Sequence, residues 1–235
     1  MANTIAHLMV AHRLYMEHPE MIADCKAYYL GSVAPDTISS KPGCERNDKK
    51  LVHLRQDIRD ADWLSEDKMR IFNARINDFA NVFINGNPDL EQRAFNLGYL
   101  VHLLTDKWNH KTVRQKMLQI AVQNGVQESD RAFYHMMVND LEALDHYLLR
   151  NNADISMLFA DLTNTTVEYG LPGYIEKEYI EGSIQWWKEY YLPSIEKRQL
   201  MYISEKDIDE FVNLAVQGIY SELLRLIVSV KSSSI

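Results

Sequence analysis

Between Ala94 and His110 the chain reads AFNLGYLVHLLTDKWNH, and Ala94, Leu97, Val101, Leu104 and Trp108 recur at steps of three and four. A stripe at that spacing is the buried face of an α-helix, because about 3.6 residues complete a turn. The same period runs through most of the 235 residues, and no segment alternates at period two as a half-buried strand would. Nine Gly and six Pro leave few positions at which helices must stop. An all-α fold is therefore expected, with residues 1–235 forming a single multi-helix domain. Caps and breakers predict helices from Thr4 to about Glu17, Pro19 to near Gly31, Ser65 to about Phe83 and Pro88 to roughly Gln123. Further helices are predicted from Ser129 to about Leu149, Asp154 to about Glu168, and near 174–190 and 204–230. Residues 31–50, rich in turn formers, read as a long loop.

Beside the apolar stripe runs a second row, Gly98, His102, Asp106 and His110, at steps of four. Each step drifts only about 40° around the axis, so these side chains project from one side over two turns. Leu100 and Leu103 flank them, which buries the row or sets it in a cleft. A carboxylate in such surroundings is costly unless it is paired or bound to metal. A hydrogen-bonded His–Asp pair that only stabilises the bundle is one solution. A metal ion is the other, and more ligand types are at hand: His7 on the first helix, Asp36 after Pro35, His53 beyond the loop and His135 on a later helix. Imidazole and carboxylate suit zinc, and a carboxylate can bridge two ions. Helical bundles build metal sites from several helices in this way.

Thr4-Ile5-Ala6-His7, Gly31-Ser32-Val33-Ala34-Pro35-Asp36, the isolated His53 and Ala94 through His110 together resemble the bacterial zinc-dependent phospholipase C family, whose superfamily includes single-strand zinc nucleases. The resemblance reaches from the N-terminus to about residue 150. It implies an all-α protein with up to three zinc ions in a cleft between helices. It further implies that Asp36, His53, His102 and Asp106 ligate one ion, and that Asp106 bridges to a second held by His7. His110 and His135 would hold the third. The carboxylate that completes that third site falls at Asn139; Asp140 is rotated off that face, and Glu142 lies nearly two turns from His135. The third site is expected to be altered, weak or absent.

Other metal chemistries fit less well. The chain has no H-E-x-x-H, no adjacent His-Asp pair, no Glu-x-x-His and no phosphate-cradling Gly-rich loop. The expected activity is zinc-assisted hydrolysis of a phosphate ester, with Asp36 as the catalytic residue that orients or deprotonates the attacking water. The rival is a helical metal-binding or interaction protein that keeps the ligands without turnover. With 25 Lys and Arg against 33 Asp and Glu, a net charge of −8 argues against a broad nucleic-acid surface. A phospholipid head group or a small soluble phosphate ester is the expected substrate.

The longest mostly apolar run, Asn96 to Leu104, is interrupted by Gly98 and His102 and falls far short of the roughly 20 residues of a membrane span. The N-terminus lacks a basic n-region, and His7 and His12 interrupt any h-region, so either a cytoplasmic location or a secretory signal already removed is expected. Cys25 and Cys44 read as free thiols. His12 is about 140° around the helix from His7 and should point elsewhere. His18 reads as a loop residue, and Trp186, Trp187, Tyr190 and Tyr191 as core. His146 reads either as a partner of Glu142 or as part of a solvated face.

Overall fold

The helix that carries the His-Asp-His row is buried on every side. In the computed structural model, which describes residues 3–191 and 199–228, each residue from Ala94 to Lys107 is buried. A helix with no solvated face belongs at the centre of a bundle. The elements are α1 (Thr4–Glu17), α2 (Cys25–Val33), α3 (Arg46–Val52), α4 (Glu66–Ala80) and the central α5 (Leu90–Lys111). They are followed by α6 (Val113–Gln123), α7 (Arg131–Asn151), α8 (Ala153–Thr163), α9 (Lys177–Tyr190) and α10 (Glu205–Val228). Among the described residues no strand forms; a lone bridge joins Leu171 to Ile175 across Gly173, whose φ of 82° suits a residue without a side chain.

Local chemistry explains where the helices depart from expectation. Pro19 opens only a 3-10 turn, Pro19–Met21, and α2 begins later because the Asp24 carboxylate accepts the Ala27 N–H at 2.7 Å. The expected loop at 31–50 is partly helical. Ala34–Ser40 is a 3-10 segment with Pro35 in its first turn, and a reciprocal pairing of Glu45 with Asp48 starts α3. The single helix expected from Pro88 to Gln123 is two. Asp89 caps its start, and Thr112 breaks it at φ −115°, ψ −84°. That break turns α6 away from the axis just after His110.

Two glycines set the closest helix crossing. A Cβ on Gly98 would lie 2.0 Å from the Tyr28 carbonyl oxygen, and one on Gly31 would lie 2.0 Å from that of Phe95. Any side chain there would push α2 and α5 apart. Because both positions are Gly, the backbones touch, and the Ser32 carbonyl comes within 2.9 Å of His102 Nδ1. The aromatic cluster on α9 divides: Trp187 and Tyr191 are core as expected, whereas Trp186 is exposed and Tyr190 half-buried. His146 is buried against the rings of Tyr190 and Tyr191 instead of facing solvent. No described helix is long and apolar enough to cross a membrane.

Candidate metal centre

Four segments that are distant in sequence bring five ligand-type side chains together. α1 supplies His7, the 3-10 segment after α2 supplies Asp36, the end of α3 supplies His53, and α5 supplies His102 and Asp106. His53 Nε2 is 3.2 Å from His102 Nε2 and 3.3 Å from Asp36 Oδ1. His7 Nε2 is 3.4 Å from Asp106 Oδ1 and 4.0 Å from Asp36 Oδ2. Donor atoms about 2.0 Å from a tetrahedral zinc ion stand about 3.3 Å apart, so this spacing is that of a coordination shell. Two groups, His7–Asp36–His102 and His53–His102–Asp106, each gather ligand atoms within 4.8 Å of one another.

The hydrogen bonds on the far side of the rings decide between a metal and a simple His–Asp pair. His102 Nδ1 faces the Ser32 carbonyl at 2.9 Å, and His53 Nδ1 faces the Lys49 carbonyl at 2.7 Å. A carbonyl only accepts, so each Nδ1 carries a proton and each ring turns its Nε2 inward; His102, held uncharged by burial, turns a lone pair there. The His102 lone pair then faces His53 Nε2 and the Asp36 carboxylate at close range, an arrangement that suits a cation. His7 adds to the demand: its ring stacks on His102 at 3.6 Å, and neither of its nitrogens makes a hydrogen bond among the described residues. The residues present therefore fit zinc, with second-shell carbonyls holding the ligands as metal-binding imidazoles require.

The electrostatics agree. Burial pushes His102 down to about 3, with His7 acting in the same direction against the pull of Asp36 and Asp106. Burial would raise the Asp36 carboxyl, but His102, His53 and His7 together hold it at about 2. Burial likewise opposes ionisation of Asp106, yet the neighbouring His7 and His102 keep it well below the usual range. At neutral pH the site thus sets two carboxylates beside an uncharged His102 ring. His7, His53, His102 and Asp106 are buried, while the Asp36 side chain is 21% exposed. Asp36 lines a cleft of about 700 Å³ that Trp186, Tyr190 and Tyr191 also line.

The profile of the zinc dependent phospholipase C family matches residues 4–225. The chain belongs to that family. Comparison with curated proteins and with solved structures returns no match. Membership in the phospholipase C family, together with the histidine–aspartate groups, supports a zinc-dependent hydrolase at family level.

Two of the expected ligands stand outside the cluster. His110 lines the same cleft one turn beyond Asp106, packed against Trp63 with ring centroids 4.4 Å apart. Burial holds it down at about 2, and the charges of Arg114 and Arg55 act in the same direction. His135, expected as a ligand, lies apart from the cluster: it is exposed on α7, where its Nε2 accepts from Arg131 Nε at 3.2 Å, and it does not line the cleft. The α7 residues that do so are Tyr134, Met137, Val138, Leu141 and Glu142. No third group with ligand atoms at metal spacing forms among the described residues. His12 points away as expected and bonds Tyr29 Oη at 3.0 Å, while His18 stacks on Tyr220.

Sequence reasoning missed Arg55 and Arg114, both buried in the cleft wall. A signal for one was present. The four-residue row Gly98, His102, Asp106, His110 continues to Arg114, so the face that begins with ligands ends with a guanidinium.

Proposed function

We propose that this chain is a zinc-dependent phosphoesterase of the phospholipase C type, binding about two zinc ions and acting on a phospholipid head-group ester or a small soluble phosphate ester. One observation carries the reading: the inward Nε2 atoms of His53 and His102 meet each other and carboxylate oxygens near coordination spacing, beside an opening at Asp36. Zinc bound there supplies a water acidified towards neutrality and positive charge against the phosphoryl oxygens.

Each protein group has its own task. Asp106 has one oxygen toward His7 and the other 3.8 Å from His53, so it is the carboxylate suited to join two ions. His102 has a single inward nitrogen and would hold one ion only. Ser32 and Lys49 keep the rings of His102 and His53 turned for binding. Asp36, the ligand open to the cleft, orients the attacking water or takes its proton. That opening favours turnover over a purely structural site, which would be closed.

The test is zinc content together with a substrate panel. Protein expressed with added zinc should carry about two equivalents, and a strong chelator should lower its melting temperature. Hydrolysis of p-nitrophenylphosphorylcholine, bis-p-nitrophenyl phosphate or a short-chain phosphatidylcholine would support the enzyme. Bound zinc with no turnover of any ester would favour the metal-binding rival. Rapid cleavage of single-stranded DNA alone would move the substrate assignment to nucleic acid, and absence of zinc would end the reading.

A further inference from the structure

Two arginines in the cleft wall have no task in the zinc chemistry. Arg55 follows His53 by two residues, through a Leu54 held at φ 54°, and Arg114 is one turn past His110 beyond the break at Thr112. Both are buried, at 4% and 6% exposure. A guanidinium never loses its charge and offers five N–H donors, so burying two of them calls for acceptors on every edge. Here each is served along one edge. Arg55 Nη2 donates to Asp60, and its plane lies 3.9 Å over the Trp63 ring. Arg114 Nη2 donates to Glu128 at 2.7 Å, while among the described residues its Nη1 has the thioether sulfur of Met137 as acceptor. Thioether sulfur is a weak acceptor.

What remains is a set of unanswered nitrogens. Arg55 Nε, Arg114 Nε and His110 Nδ1 are all buried without a hydrogen-bond partner among the described residues. Arg55, His110 and Arg114 line the cleft that Asp36 also lines. The carboxylates that pair the arginines are the exposed ones: the Asp60 side chain is 47% exposed and that of Glu128 29%. An incoming oxyanion can therefore exchange with groups that water will accept.

We propose that Arg55 and Arg114 form an anion subsite next to the zinc ligands, so that the preferred ester carries a second anionic group, a carboxylate or a further phosphate, on its head group. The proposal rests on the phosphoesterase reading for the identity of the ester, though not for the anion itself. The guanidinium fork matches such oxyanions along two bonds, and it repels a quaternary ammonium head group.

The experiment is calorimetric titration of the zinc-supplemented protein with phosphoserine and with phosphocholine, which share a phosphate and differ in head-group charge. Zinc is measured on the same samples. Phosphoserine should bind at least about tenfold more tightly, and R55Q or R114Q should erase that preference at unchanged zinc content. Should R114Q fail to fold, R114K keeps the charge and loses the fork, and it should cut the preference severalfold. Equal binding of the two ligands by the wild type, or an intact preference in both glutamine variants, would overturn the proposal. So would a third zinc equivalent that disappears in H110A or E142Q, since a cation there would take the place of the anion. Absence of zinc with an arginine-dependent preference would sink the phosphoesterase reading and leave the subsite standing.

Discussion

Two pairs of carboxylates, all buried except the half-buried Asp36, lie in neighbouring parts of this molecule and meet opposite surroundings. Asp140 and Asp145, on α7, look into donors. Asp140 accepts the backbone N–H groups of Met201, Tyr202 and Ile203 at 2.8 to 2.9 Å, which ties the approach to α10 onto α7. Asp145 accepts the Tyr191 hydroxyl at 2.8 Å and the Ala6 N–H at 3.2 Å, one residue before His7. Asp36 and Asp106 look instead into the imidazole nitrogens of His7, His53 and His102, and carbonyls hold a proton on the far side of the His53 and His102 rings. The lesson is that burial of an acid does not make a metal site. Surrounding donors satisfy the carboxyl oxygens in place, whereas a cluster of imidazole nitrogens and carboxylates suits a cation.

The largest expected effect separates the two pairs outright. D106N should lose the shared zinc and with it all phosphoesterase activity, read by elemental analysis and p-nitrophenylphosphorylcholine hydrolysis, whereas D140N should keep both. Zinc loss in D140N would erase the distinction. Next in size is stability. D140A strands three backbone donors and should cost about 3 kcal/mol in urea unfolding. If its unfolding midpoint matches wild type, then Asp140 is not the tie between α7 and α10.

Acid and base titration of stability should show opposite signs for the two environments. Burial outweighs the donors at Asp145 and raises it from 3.8 to about 7. The folded state then holds a proton that the unfolded state has released, so this contribution is full below pH 4 and lost as pH rises to about 7. Asp36, held at about 2, behaves in reverse: its contribution is present above 3.8 and lost as pH falls towards 2. D145N should remove the decline between pH 4 and 7, and an unchanged slope would place the titration elsewhere. The smallest effect is expected for H135A, with zinc content unchanged and stability within about 0.5 kcal/mol of wild type; a lost zinc equivalent would return His135 to the site.

The legible part of the fold was the part written in local chemistry. The period of Ala94 to Trp108 marked the central helix, and steps of four marked His102, Asp106 and His110 as one face. The break at Thr112 was not legible, because α6 continues the same period across it and only packing decides the turn. The loop at 31–50 was misread for a related reason. Its prolines and glycines signal turns, but Gly31 serves a helix crossing and Pro35 the start of a 3-10 segment.

The sequence by itself determined the helical class, the family and the ligand types, because periodicity and residue chemistry are properties of neighbours along the chain. Only the tertiary structure decided which ligands meet. His135 has the same imidazole as His53, yet one is exposed beside Arg131 and the other sits 3.2 Å from His102. The inward Nε2 atoms of His102 and His53 depend on carbonyls of Ser32 and Lys49, backbone groups that carry no sequence signature. Arg55 and Arg114 reach one cleft wall from separate elements. Coordination and charge pairing act over about 2 to 4 Å in space, and residues far apart in the chain acquire such distances only when the helices have packed.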